Sequence, residues 1–417
     1  MGAMEGPRAR RPLGRAAMPN PRRRDRLLSA LSRRTSSGRF IPEIDGLRFV
    51  SIALVVLFHL DVYVAGSSTA AYAVPPDAEP LAGMVRHGSW GVHLFFIISG
   101  FVLALPFVSY HQAGGEKVRL RAYFARRLTR LEPPYVVAVL GTFMMALAVR
   151  PGGHAPSAAE LVAHLLYLHN VVYGWMSTFI TIAWSLEIEV QFYLAAPVLG
   201  RLFFSIGHTL RRRAAIGGAA LLAIAAQVVL ARTGIALPRT LLLYIQFFLA
   251  GFLLADVYVT SWKGAPRHDW RWDGVWILGW AGMLAAVRSP SPAVLALGFP
   301  AAALATFAAT FRGIWFRRLL TNPWIVTIGG MCYTIYLLHN PVIVVAGRFS
   351  TRWLRGDDYG VDLLLQAVTV LPAVLLVSTL FFVLVERPCM DRHWPRKLHE
   401  RFRPSTPEVN KVFRKTP

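Results

Sequence analysis

Along the chain, apolar stretches of membrane-crossing length alternate with short polar ones. Ten apolar segments run near 47–65, 90–108, 133–149, 183–200, 214–231, 240–258, 274–287, 293–311, 324–346 and 366–386. Each approaches the roughly 20 residues a helix needs to cross a bilayer, the seventh being short. The pattern predicts an all-α polytopic membrane protein of about ten transmembrane helices. A further stretch, "AELVAHLLYLHNVVYGWM" (Ala159–Met176), is only mildly apolar and predicts a helix lying at the surface.

The polar stretches give this layout an orientation. Of the 45 Lys and Arg residues, 36 fall on one set of alternate ends: the N-terminus, 109–132, 201–213, 259–273, 312–322 and the C-terminus. Positive charge accumulates on the cytoplasmic side, so both termini are expected there. The net charge of +23 would suggest nucleic acid in a soluble chain, but 55% of the residues are hydrophobic and the charge follows topology. No nucleic-acid partner is expected. Three regions result: a basic, disordered cytoplasmic N-terminus over 1–40 that faces anionic lipid, a transmembrane domain over 41–388, and a basic cytoplasmic tail over 389–417. The tryptophans around 262–280 read as an interfacial belt. Cys332 and Cys389 both map toward the cytoplasm, which predicts neither a disulfide nor a metal framework.

The first apolar segment, within "EIDGLRFVSIALVVLFHLDVYVAG", carries Arg48, His59 and Asp61. Ionisable groups in hydrocarbon cost several kcal/mol unless they meet a polar interior or a partner. Eleven residues at about 100° each bring His59 to within roughly 20° of the face of Arg48, about 16 Å further along the axis. Asp45, one turn before Arg48, is placed to orient it; Asp61 lies on nearly the opposite face. Taken alone, Arg48 reads as an arginine snorkelling to the interface. His59 is too deep for that, and histidine is the usual proton carrier near neutral pH. The pair on one stripe favours function over structure.

At these residues the chain resembles the acyltransferase 3 family of integral membrane O-acyltransferases. "IDGLRFVSIALVVLFH" is similar to the family's R-x10-H helix, and "WGVHLFFIISGFVLA" to its second helix. "FARRLTRLEPPYV" matches the R-x-x-R-x-x-P entry with Arg127, Arg130 and Pro133, and "AWSLEIEVQFYLAAPVL" matches the W-S-L-x-x-E-x-x-F-Y block with Glu189. "GGMCYTIYLLHNPV" and "VERPCM" resemble the two late blocks. Six blocks in order make the resemblance strong. Cys332 stands where the family commonly has serine, and Glu187 adds a second carboxylate. The esterase-like extracellular domain of some relatives is expected to be absent.

The resemblance implies an acetyl or short acyl group moved from cytosolic acyl-CoA to a hydroxyl, generally on a carbohydrate, in the bacterial cytoplasmic (inner) membrane. No permanently bound cofactor and no metal is expected. Arg48, Arg127 and Arg130 are implied as ligands of the donor's phosphates, with Arg48 counted in the catalytic set beside His59 and Glu189. His59 is the implied general base, and Glu189 the carboxylate for its imidazolium. Glu187 and Glu189, 200° apart on one helix, cannot line one narrow site. Tyr336, His339 and Asn340 share a face of the ninth segment and, with Asp45, are the candidate substrate contacts; Pro341 is expected to kink that helix. His339 reads equally well as a structural cap. Direct transfer is preferred to an acyl-enzyme on Tyr336, Ser99 or Cys332. His164 and His169 in "HLLYLH", five residues apart, fall on different helix faces and are not expected to pair at a metal. The competing reading is a transporter with a proton relay through His59, Glu189 and Asp61; a scaffold without chemistry leaves Arg48 and His59 unexplained.

Overall fold

The computed structural model describes residues 28, 30–33, 40–67, 80–149, 155–233, 238–354, 358–391 and 394. Most of the N-terminal 40 residues and most of the tail after 389, both expected to be basic cytoplasmic arms, lie outside these. Among the described residues every regular element is helical. The long helices are α1 (Pro42–Ser67), α2 (Gly91–Ala113) and α3 (Leu120–Val149). Two short ones follow, α4 (Ala158–Leu165) and α5 (His169–Tyr173). Then come α6 (Ala183–Phe204), α7 (Thr209–Arg232), α8 (Ile245–Asp256), α9 (Arg271–Arg288) and α10 (Pro292–Arg312). The chain closes with α11 (Trp315–Leu320), α12 (Pro323–Gly330), α13 (Cys332–Ser350) and α14 (Tyr359–Phe381).

Among the described residues six helices are long and apolar enough to cross a membrane, or seven if the bent pair α12–α13 counts as one span. Each of the other three predicted segments is also helical, as α6, α8 and α9, but these are too short or too polar to qualify by length and composition. The ninth segment differs from expectation. Pro341 lies inside α13, and the sharp bend, 71°, falls earlier, between Gly330 and Cys332. Two consecutive glycines, poor helix formers, end α12 there. Gly329 also packs so tightly on α1 that a methyl group would land on the Asp45 carbonyl oxygen. The predicted surface helix is broken too: Tyr167, at φ 57°, separates α4 from α5.

Small residues set the closest helix approaches, as is common where lipid removes the hydrophobic drive between helices. A Cβ on Gly100 of α2 would strike the Phe248 carbonyl, and one on Gly251 of α8 would strike the Ile97 carbonyl and the Phe101 amide. The reciprocal pair brings the two backbones together. Aromatic rings fill the space beside them, with Phe192 stacked on Phe248 at 4.0 Å and Phe248 on Phe96 at 4.8 Å. Against this close packing a single methyl is a large insertion, costing about 1–3 kcal/mol. Gly251→Ala is therefore expected to lower the thermal midpoint of the detergent-solubilised protein by several degrees. Gly218→Ala, where a Cβ meets nothing within 4 Å, is expected to leave it in place. Equal midpoints for the two variants would refute this packing.

Candidate active site

One cavity of about 1180 Å³ opens where α1 and α3 begin and α2 and α8 end. Its lining includes Arg33, Arg48, Lys117, Arg119, Arg126, Arg127, Arg130, Arg212 and Lys263 against only two acids, Glu116 and Glu189. This is a strongly cationic chamber, and it reaches inward to Ser99, Ser185 and Tyr336. Arg48, Arg127, Arg130, Glu189 and Tyr336, named from sequence, thus share one space.

Each arginine is held differently. Arg48 Nη1 donates to Asp45 Oδ1 at 2.7 Å, and Arg33 Nε donates to Asp45 Oδ2 at 2.8 Å. Asp45 is fully buried, with both oxygens engaged, and it does not line the cavity. Its geometry is that of a residue orienting Arg48, so direct substrate contact, expected from sequence, is not available to it. Arg127 sits between the rings of Tyr123 and Tyr193, 5.0 Å from each centroid. Arg130 Nη2 lies 3.7 Å from Glu386 Oε1, and Glu386 Oε2 accepts from Thr334. The Nε–H groups of Arg127 and Arg130 are buried with no acceptor among the described residues. Two forked cations in the cavity wall therefore keep an unused donor each.

Deeper in, Glu189 Oε1 accepts from Ser99 at 2.6 Å, and Tyr336 Oη donates to the Ile182 carbonyl at 3.0 Å while meeting Ser185 Oγ at 2.6 Å. Asn340 Nδ2 donates to Thr181 Oγ1 at 3.2 Å, outside the cavity lining.

His59 and His339 also lie outside that lining, but they touch each other: His339 Nε2 is 3.2 Å from His59 Nδ1. The Tyr336 ring is 5.7 Å from that of His339 and links the cavity to the pair. Hydrogen-bond partners assign the tautomers. His339 Nδ1 faces the Tyr336 and Ile335 carbonyls at 2.7 and 3.1 Å, which only accept, so it carries the proton and Nε2 is the acceptor. His59 Nδ1 faces the Val55 carbonyl at 2.9 Å and is likewise protonated. His59 Nε2 is left with a free lone pair and has no partner among the described residues. His339 is fully buried, with its Nε2 against His59 Nδ1. The spacing within α1 could not show this contact, because its partner is 280 residues away.

Asp61 lies elsewhere, bonded to Arg86 Nε at 3.2 Å and Tyr359 Oη at 2.8 Å. His59, Glu189 and Asp61 therefore each have other partners, and no contact among the described residues joins them in a relay.

The expectation that His164 and His169 are kept apart fails. The left-handed turn at Tyr167 ends α4, so the helical spacing does not carry through to His169. The two rings stack at 4.1 Å, 7° from parallel, beside Glu187. Burial, with His169 alongside, pushes the His164 imidazole down to about 3, and burial lowers His169 as well. Both are neutral near pH 7. Arg33 and Glu386 are site residues that sequence reasoning passed over; the family-like "VERP" block was the available signal for Glu386.

A family model described as an acyltransferase domain (Acyl_transf_3) matches residues 41–385. The chain is 23% identical over 332 residues to a "Putative O-acetyltransferase" of Staphylococcus aureus strain COL, covering 73% of this chain and 51% of that protein. It is 27% identical over 173 residues to the O-acetyltransferase OatA of Staphylococcus aureus strain NCTC 8325 / PS 47, covering 39% of this chain and 25% of that one. The chain thus spans about half the length, or less, of these curated relatives. No solved structure matches it significantly. The family match covers most of the chain and coincides with the apolar helices and the cavity, so the chain belongs to this acyltransferase family and is a multi-pass membrane protein.

Proposed function

We propose that this protein is an O-acyltransferase that moves an acetyl or other short acyl group from acyl-CoA to a hydroxyl of a carbohydrate or glycosylated acceptor. The observation that carries this reading is the cationic cavity, with two buried arginine donors unused, ending at Tyr336 beside the His339–His59 pair. Its volume exceeds the roughly 300–1,000 Å³ usual for small-ligand pockets, as a nucleotide-bearing thioester would require. In a ten-span arrangement with both termini cytoplasmic, the mouth of the cavity faces the cytosol, where acyl-CoA is made. Arg48, Arg127 and Arg130 hold the phosphates, and the pantetheine arm runs inward past Ser99 and Glu189.

His59 Nε2 removes the proton of the acceptor hydroxyl as its oxygen attacks the thioester carbonyl. The C–S bond then breaks, the sulfur takes the electron pair, and the His59 proton returns to the departing thiolate. His339 keeps His59 in the tautomer that leaves Nε2 unprotonated. Glu189, bonded to Ser99, acts on the cavity side and lowers the local positive potential near the reacting carbonyl. The names of the relatives support O-acetylation, and the carbohydrate acceptor follows from the family resemblance.

Three outcomes test this. His59→Ala is expected to lower acceptor-stimulated CoA release in nanodiscs by about 10²–10⁴-fold, with acyl-CoA binding intact; full turnover in the folded variant rules His59 out as base. Arg127→Ala removes a charge-assisted contact of about 1.5–3 kcal/mol, so acyl-CoA should bind roughly 10–100-fold more weakly. Unchanged affinity would move the donor elsewhere. His339→Ala is expected to lower kcat more than it raises KM for acyl-CoA, and an effect confined to KM would remove its positioning role.

A further inference from the structure

His164, His169 and Glu187 take no part in this scheme, yet among the described residues they form a close cluster of metal-ligating side chains. α4, the left-handed turn at Tyr167 and the start of α5 bring the two imidazoles over the first turns of α6. One donor atom from each of the three residues lies within 4.8 Å of the others. All three are buried, with no more than 1% of their surface exposed. Both nitrogens of His164, Nε2 of His169 and Oε1 of Glu187 are buried without a hydrogen-bond partner among the described residues. Leaving one such atom unsatisfied costs roughly 1–3 kcal/mol.

The chemistry of these atoms indicates what would satisfy them. A neutral imidazole offers one lone pair, and a carboxylate oxygen only accepts. His164 Nδ1 is 3.8 Å from Glu187 Oε1, too far for a hydrogen bond. The other carboxylate oxygen, Oε2, accepts the Asn170 backbone N–H at 2.8 Å, which fixes the carboxylate's orientation as an outer-shell contact does in metal sites. Two imidazoles and one carboxylate match the ligand set of first-row dications, zinc above all, whereas calcium and magnesium take oxygen ligands.

We propose that His164, His169 and Glu187 form a three-ligand site for a divalent transition metal, zinc by ligand type, that pins the α4–α5 hairpin to the start of α6. Bonds of about 2.0–2.2 Å draw the three donor atoms together by roughly an ångström, which the stacked rings supply by pivoting edge-on toward the ion. The site is structural in role. Glu187 lies between Ser185 and Glu189 on α6, so the ion fixes the turn from which both face the cavity.

The test uses the full chain without a histidine tag, stripped with chelator, incubated with zinc and freed of excess by gel filtration. One zinc per chain is expected by elemental analysis, with an apparent melting temperature raised by a few degrees and returned by chelator. His164→Ala and Glu187→Gln are expected to lose both effects, and His59→Ala to keep them, separating this cluster from the His59–His339 pair. Cobalt in place of zinc reads the site in the wild type without any variant: visible bands of an ion held by the three side chains and one water are expected. No stoichiometric metal on the wild-type chain, or zinc retained undiminished by both His164→Ala and Glu187→Gln, would overturn the proposal.

Discussion

An ionised carboxylate buried in an apolar bundle must find a cation or several donors, and that constraint organises this molecule. Asp45 is the clearest case, gripped by Arg48 and Arg33 at the mouth of the cavity. Asp256 is held by Arg212 and Arg213, Asp61 by Arg86, and Glu386 by Arg130 and Thr334. Asp273 meets the rule without a cation, accepting the backbone N–H groups of Ile314, Trp315 and Phe316. Apart from the Arg48–Asp45 pair within α1, each contact joins segments that the bare apolar pattern would leave free to slide, because an apolar face specifies no register. Against this background the exceptions stand out. Glu189 has Ser99 as its hydrogen-bond donor and faces the cavity, and Glu187 faces two neutral histidines.

The sequence made legible whatever repeats with helical period or stays within one helix. The apolar segments fell on helices, and Arg48 and His59 both lie on α1, Arg48 in the cavity lining and His59 outside it. What it could not carry was the meeting of residues far apart in the chain. His339 was weighed as acceptor contact or cap, and its contact with His59 is tertiary. Arg33 was grouped with a basic arm, though its guanidinium completes the pair on Asp45. The misreading of His164 and His169 has a narrower cause. Helical phase was extended across Tyr167, a residue whose type gives no warning of a left-handed conformation. In the ninth segment proline is the obvious breaker, while the earlier glycine pair, Gly329 and Gly330, ends α12 at the real bend.

In the proposed function, the cavity and the histidine pair divide the reaction's requirements between two regions. Charge recognition would then fall to the basic end of the bundle, where Arg48, Arg127 and Arg130 line the cavity. On that proposal proton transfer falls to the His59–His339 pair, whose imidazole tautomers are fixed by backbone carbonyls. Tyr336 belongs to both regions through its ring, and its hydroxyl is fixed on α6 by Ser185 and Ile182. A shift of α6 relative to α13 would therefore be felt at the junction between binding and chemistry.

The bend between α12 and α13 also has an electrostatic side. Breaking the helix there starts a new one at Cys332, with no side chain capping its first turn. Cys332 and Tyr333 line the cavity. The aligned peptide dipoles of α13 thus begin at the cavity wall and present a partial positive charge, about half a unit, that no protonation equilibrium can remove. Gly330, the last residue of α12, lines the cavity as well, so the bend turns one partly negative and one partly positive helix end toward the chamber, a backbone field that straightening the two helices into one would remove.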